Sequence, residues 1–125
     1  MSDVAQTLAA VEERAKQLPT PTGYRLLCAV PKAGDRLGEI IIKAEDTIRT
    51  EELTTVVLYV VSMGPDAYKD PVKFPAGPWC AVGDFIIVRS YSGTRVKIHN
   101  HEFRLINDDS VEAVVENPVG INRAG

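Results

Sequence analysis

From residue 54 onward the chain never holds one direction for long, and that punctuation limits the folds open to it. Thr54 to Met63 is rich in Val, Leu and Tyr on both faces, which describes a central or barrel-like strand. Gly64-Pro65-Asp66 stops it with turn chemistry. Pro65, Pro71, Pro75 and Pro78 follow, and proline cannot donate to a ladder, so this stretch is an irregular surface excursion. Val82-Gly83-Asp84 turns into an apolar strand from Phe85 to Arg89, and Ser90-Tyr91-Ser92-Gly93 turns again. Thr94, Val96 and Ile98 alternate with Arg95 and Lys97; after a turn at Asn100-His101, Phe103 and Leu105 alternate with Glu102 and Arg104. Asn107 to Ser110 leads into the last strand, Val111 to Glu116. Short strands with turns every several residues predict a mostly β fold, a small irregular antiparallel β-barrel.

The first part of the chain changes period. Val4, Leu8, Val11 and Ala15 fall at helical spacing among Glu12, Glu13, Arg14 and Lys16, with Ser2 or Asp3 as cap and Pro19 and Pro21 as stops. The narrow stripe of this helix rests on its own domain or on a neighbouring subunit. From Tyr24 the period is two: Tyr24, Leu26, Cys28 and Val30 face one way, Arg25, Leu27 and Ala29 the other. The organisation predicted is a helical extension over residues 1–20, a β domain over 21–117 and a patternless tail over 118–125.

Between the first two strands lies a charged loop, residues 31–50, interrupted by Ile40, Ile41 and Ile42. Lys32, Asp35 and Arg36 precede this run, and Lys43, Glu45, Asp46 and Arg49 follow it. So short an apolar run is either a buried strand or an anchor offered to a partner. Loops of this length are usually functional or disordered, which favours the anchor.

Composition excludes several functions. The chain has 125 residues, 45% apolar and 25% charged, with a net charge of −3 that does not suggest nucleic acid. No apolar stretch approaches the roughly 20 residues of a membrane helix, and no basic, then apolar, secretory signal opens the chain. Cys28 and Cys80 sit among apolar residues and read as reduced, buried thiols of a cytoplasmic protein, although a disulfide between them is compatible with the sequence. No Gly-rich phosphate loop is present, and no G-x-S-x-G elbow frames a nucleophile. His99 and His101 form an H-x-H pair, better suited to a polar hairpin tip than to zinc, which needs three or four ligands. The sequence therefore predicts no enzyme, no metal and no cofactor.

The order of these strands carries a resemblance. Ala81-Val82-Gly83-Asp84-Phe85-Ile86-Ile87-Val88, a Tyr- and Gly-containing turn, Lys97-Ile98, Glu102, Leu105-Ile106, and Asp109 leading to Ala113-Val114-Val115-Glu116 resemble the co-chaperonin (GroES) family. Pro21 to Val30 is similar to that family's opening strand, and Val60-Val61-Ser62-Met63-Gly64 to its next conserved segment. The likeness runs from residue 21 to 116 and is most specific from Val82 to Glu116.

The resemblance implies a GroES-like β-barrel protomer with a long mobile loop, assembled as a heptamer. Such a ring caps a GroEL-type chaperonin in its nucleotide-bound state and helps enclose and fold client proteins. ATP is then bound by the chaperonin partner and not by this chain. Gly38, Glu39, Ile40, Ile41 and Ile42 fall where the family carries its chaperonin-binding Gly-Gly-Ile-Val-Leu, with Glu39 in place of the second Gly. The first and last strands are expected to be open edges that meet between subunits, through Leu26, Cys28, Val111, Ala113 and Val115. The added N-terminal helix and the proline-rich stretch in place of a roof hairpin are departures that suit a virus-encoded or organellar member. The rival expectation is a structural or adaptor barrel, such as a virion component, whose loop packs permanently against a neighbour.

Overall fold

The computed structural model describes residues 16–32, 35–38, 40–42 and 55–124. The N-terminal helix expected over Val4 to Lys16 lies almost wholly outside these residues. Among them are eight strands: β1 (Arg25–Ala29), β2 (Arg36–Leu37), β3 (Ile40–Ile41), β4 (Val57–Met63), β5 (Phe85–Ile87), β6 (Thr94–Ile98), β7 (His101–Asn107) and β8 (Ala113–Val115). A single 3-10 turn, Asp108–Ser110, joins β7 to β8.

Six strands form one antiparallel sheet in the order β6-β7-β1-β4-β5-β8, and β2 and β3 pair as a separate hairpin. The expected strands are present, most of them trimmed by a few residues at their ends. The closed barrel is not: the ladder stops at β6 on one side and at β8 on the other. The reason lies in what covers the apolar face. Residues Ala67, Tyr68, Phe74 and Cys80 of the proline-rich excursion pack into one core with Leu26, Cys28, Leu58, Val60, Ile86 and Ile106 of the sheet. A folded segment, instead of a curled sheet, takes that surface out of water.

The position of β1 is a second correction. It was expected at an edge, yet it is paired on both sides, with β4 through Leu26↔Met63 and with β7 through Leu26↔Ile106. Its sequence accounts for this placement. Leu26 and Cys28 are fully buried on one face, and Leu27 and Ala29 are buried on the other. A strand apolar on both faces belongs in the middle of a sheet.

In β7 the alternation is inverted relative to its chemistry. Glu102, Arg104 and Ile106 are buried, whereas His101, Phe103 and Leu105 are half-buried. Arg104 pairs across the ladder with Cys28, so the guanidinium stands on the core face. It is held there by Glu102, with Nε 3.2 Å from Oε2, and by the Thr55 carbonyl, which accepts from Nη1 at 3.3 Å. Arg95 of β6 engages the other carboxylate oxygen, Nη2 to Oε1, at 2.8 Å.

The excursion has no strand among its described residues, and three rings organise it. Phe74 meets Tyr68 edge-on at 4.8 Å and Trp79 edge-on at 4.9 Å between centroids. Asp108, nearly fully buried, accepts the Tyr68 N–H at 3.0 Å and ties this segment to the end of β7. Asp108 thus does more than shape a turn. Gly64, where β4 hands over to the excursion, has no room for a side chain, because a Cβ would run into the Gly23 carbonyl oxygen.

Candidate functional site: the isoleucine hairpin and the sheet edge

The isoleucine run is built into a small hairpin. Arg36 pairs with Ile41 and Leu37 with Ile40. The turn between them includes Gly38 at φ +62, a left-handed conformation that favours glycine. The tip lies over the outer face of the sheet: a Cβ at Gly38 would sit 3.7 Å from the Tyr59 hydroxyl. Tyr59 itself packs against Phe85 at 5.0 Å between ring centroids.

The three isoleucines do not share one environment. Ile41 is 54% exposed, Ile40 is half-buried and Ile42 is 5% exposed. Glu39 lies outside the described residues. At the mouth of the hairpin the Ile42 N–H donates to the Asp35 carbonyl at 2.8 Å, and the Asp35 N–H donates to the Lys32 carbonyl at 2.9 Å. Ile42 is therefore buried and Ile41 lies largely in solvent.

The residues expected at a subunit interface are divided as well. Leu26 and Cys28 are fully buried inside their own sheet, and Val111 is buried beside β8. Ala113 is exposed and Val115 half-buried on β8, whose partner within the chain is β5. Beside this strand Trp79, Val111, Glu112, Ala113 and Val114 line a shallow cleft of about 310 Å³. Trp79 and Val114, each 45% exposed, give its surface an apolar character.

Besides Glu102, Arg104 and Asp108, the buried titratable groups include two thiols and the Tyr68 phenol. Cys28 and Cys80 are free and buried. Burial, with Cys80 adding to it, pushes the Cys28 thiol up to about 12. Burial also raises Cys80, although its contact with the Tyr68 hydroxyl at 3.4 Å acts the other way. Neither is a nucleophile near neutral pH. Among the described residues no group of three or more His, Cys, Asp or Glu side chains is placed to hold a metal ion. His99 and His101 do not act together. His99 sits in the turn before β7, with Nε2 2.6 Å from Gln17 Oε1, while His101 begins the strand and reaches Asp35. No described helix is long and apolar enough to cross a membrane.

Sequence reasoning missed two features here. The cluster of buried Arg104 and Glu102 with the exposed Arg95 reads as ordinary alternating charge, because nothing local marks which face of β7 is covered. The His101–Asp35 contact joins residues far apart in the chain, and only the His-x-His spacing drew attention to one of them.

No family model matches the chain. Curated relatives are nevertheless recognisable. A protein of Clostridium botulinum named Co-chaperonin GroES is 35% identical over 57 residues, which cover 46% of this chain and 58% of that protein. The chain thus spans little more than half the length of this relative. A second, from Methylacidiphilum infernorum and also named Co-chaperonin GroES, is 25% identical over 97 residues, 77% of this chain and 92% of that protein. With this β-rich fold and at this low identity, the chain is similar, as a divergent relative, to proteins named Co-chaperonin GroES.

Proposed function

We propose that this protein is a co-chaperonin that caps a GroEL-type chaperonin ring in its nucleotide-bound state and binds through the isoleucine hairpin. The observation that carries the reading is Ile41, a large β-branched side chain 54% exposed on a hairpin that is not part of the six-stranded ladder. The names of the curated relatives support a co-chaperonin role in general. Exposed apolar side chains on a loop are the usual currency of partner recognition. An extended segment with Ile at successive positions suits a groove or a sheet edge on the partner. Gly38, Glu39, Ile40, Ile41 and Ile42 are assigned to that contact, with residues 31–50 as the mobile element.

The same reading makes the protein a closed homo-oligomer, a heptamer, in which several hairpins bind at once. Weak arms on one ring give avidity without strong single contacts. The edge of β8, the outermost strand among the described residues, with Ala113 and Val115, is the assembly edge we assign, since Leu26 and Cys28 are enclosed by their own sheet. The nucleotide belongs to the chaperonin, and the chain performs no chemistry of its own in a cytoplasmic setting. The test is capture of a GroEL-type chaperonin by the purified protein with and without ATP. Nucleotide-dependent capture, lost in Ile41→Asp, is expected; capture that ignores nucleotide, or survives the substitution, refutes the reading.

A further inference from the structure

The proline-rich excursion meets the sheet beside the start of β1 and the end of β7, and a cleft of about 520 Å³ lies between them. Tyr24 and residues 107–109 border it from the sheet, and residues between Asp66 and Phe74 border it from the excursion. Backbone bonds hold these parts together. The Asp66 N–H donates to the Gly23 carbonyl at 2.9 Å, and the Asp108 N–H donates to the Tyr24 carbonyl at 3.1 Å. Within the excursion the Phe74 N–H donates to the Asp70 carbonyl at 2.9 Å. The cleft is thus formed before any ligand arrives, and ordinary ligand sites span roughly 300–1,000 Å³.

Its charge is unbalanced. Four carboxylates, Asp66, Asp70, Asp108 and Asp109, face two ammonium groups, Lys69 and Lys73. Lys73 is committed to Asp109, with Nζ 2.6 Å from Oδ2, and Asp70 Oδ1 accepts the Val72 and Lys73 N–H groups. Asp108 is the exception. Its side chain is 3% exposed and borders the cleft, yet only Oδ2 is engaged, by the Tyr68 N–H at 3.0 Å. Oδ1 has no hydrogen-bond partner among the described residues. An acceptor so enclosed is suited to a donor that a ligand brings, because buried polar atoms are nearly always paired. No three acidic side chains among the described residues are placed to hold a metal ion, so the surplus charge suits an organic cation.

The apolar surface of the cleft comes from Phe74 and from Tyr24, which is 47% exposed. The Tyr24 ring already carries the Arg25 guanidinium 5.5 Å from its centroid, as aromatic faces do for planar cations. A guanidinium also presents several N–H donors in a fixed fork, enough to serve more than one carboxylate oxygen. We propose that this cleft docks a basic peptide segment of a partner protein, with an arginine guanidinium directed to Asp108 and its stem against Tyr24 and Phe74. The exposed rim of Asp66, Lys69 and Asp70 leaves room for a chain running past, whereas a small molecule is usually enclosed over most of its surface. Neither the isoleucine hairpin nor the β8 edge takes part, so the site stands apart from the chaperonin reading.

NMR titration of the full-length protein with a blocked pentapeptide, Ala-Leu-Arg-Leu-Ala, tests this site. Amides of residues 66–74 and 107–109 should shift at millimolar peptide, while those of Leu27 and Leu58 stay in place. Citrulline in place of arginine keeps the shape without the charge and should weaken binding about tenfold, the scale of a charge-assisted hydrogen bond. Asp108→Asn should weaken it similarly, and Asp66→Asn, an exposed change, gives the same reading if the first variant does not fold. Glu112→Gln, outside the cleft, should leave it unchanged. Agmatine presents the same guanidinium without a peptide and should bind at least about tenfold more weakly. Absent shifts at these amides, equal binding of the citrulline peptide, or full affinity in Asp66→Asn overturns the site. Agmatine binding as tightly as the peptide overturns the peptide as its occupant.

Discussion

Arg104 has no exposed surface, and its Nε lies 3.2 Å from the carboxylate of Glu102, two residues earlier on the same strand. The two side chains share the face of β7 that turns inward, so each helps compensate the other for leaving water, with Arg95 on the second carboxylate oxygen of Glu102. Taking Glu102 away removes a carboxylate partner from a fully buried guanidinium. Glu102→Ala is therefore expected to destabilise the fold by about 3–5 kcal/mol, the usual result of removing one partner of a buried pair. Urea unfolding followed by circular dichroism measures it, and a loss below about 1 kcal/mol contradicts the account.

The same carboxylate makes an acid-stability prediction. Burial alone raises Glu102, but hydrogen bonds from Arg95 and Arg104 outweigh it and hold the carboxyl below its ordinary value of 4.5. A depressed folded-state value means stability that is fully present above the unfolded value, roughly 4.3. It is lost as pH falls through the lower folded value. The unfolding midpoint should drop steeply below about pH 4, and Glu102→Gln should flatten that drop.

Ile41 and Ile42 should respond differently to the same change. Ile41→Asp alters a side chain that is mostly in water, so thermal stability should shift by no more than about 0.5 kcal/mol while chaperonin capture disappears. Ile42→Asp places a carboxylate at a 5% exposed site and should undock the hairpin. Amide exchange at residues 36–42 distinguishes the two; equal effects would mean that the hairpin is not docked as described.

The thiols should be silent in the folded protein. With Cys28 pushed up to about 12 by burial, almost none of it is thiolate at pH 8. Iodoacetamide should leave both cysteines unmodified in native protein and label both after denaturation, as read by mass spectrometry. Rapid native labelling of Cys28 would show that the core opens far more readily than this packing allows.

The edge of the sheet supplies the assembly prediction. Val114 is 45% exposed on β8, where a charged residue is a common natural block to edge pairing. Val114→Lys should yield a folded monomer where the unsubstituted protein gives a closed oligomer in native mass spectrometry. An oligomer that survives the change places the contact elsewhere.

Legibility in the sequence followed the range of the interactions involved. The period-two runs and the turn residues are local, so the strands and the strandless excursion could be located to within a few residues. Which strands become neighbours is not local. The edge placement of β1 overlooked that Leu27 and Ala29 are as apolar as Leu26 and Cys28, a signal present in the residues themselves. The inward turn of Arg104 had no such signal, because Thr55 meets it only in three dimensions and Glu102, two residues away, reads equally well as a partner on a solvated face. The isoleucine run was recognisable as exceptional, but its division into an exposed Ile41 and a buried Ile42 depends on where the hairpin lies.

The central place of β1 also sets a timetable for the newborn chain. Arg25 pairs with Asn107, so the strand in the middle of the sheet waits for one of the last strands to leave the ribosome. Until then β1 can join β4 alone, leaving a sticky apolar ladder open during nearly the whole of synthesis. A pairing so distant in sequence also slows folding after release. A ribosome-stalled fragment ending before residue 101 should therefore be captured by general chaperones far more than the released protein.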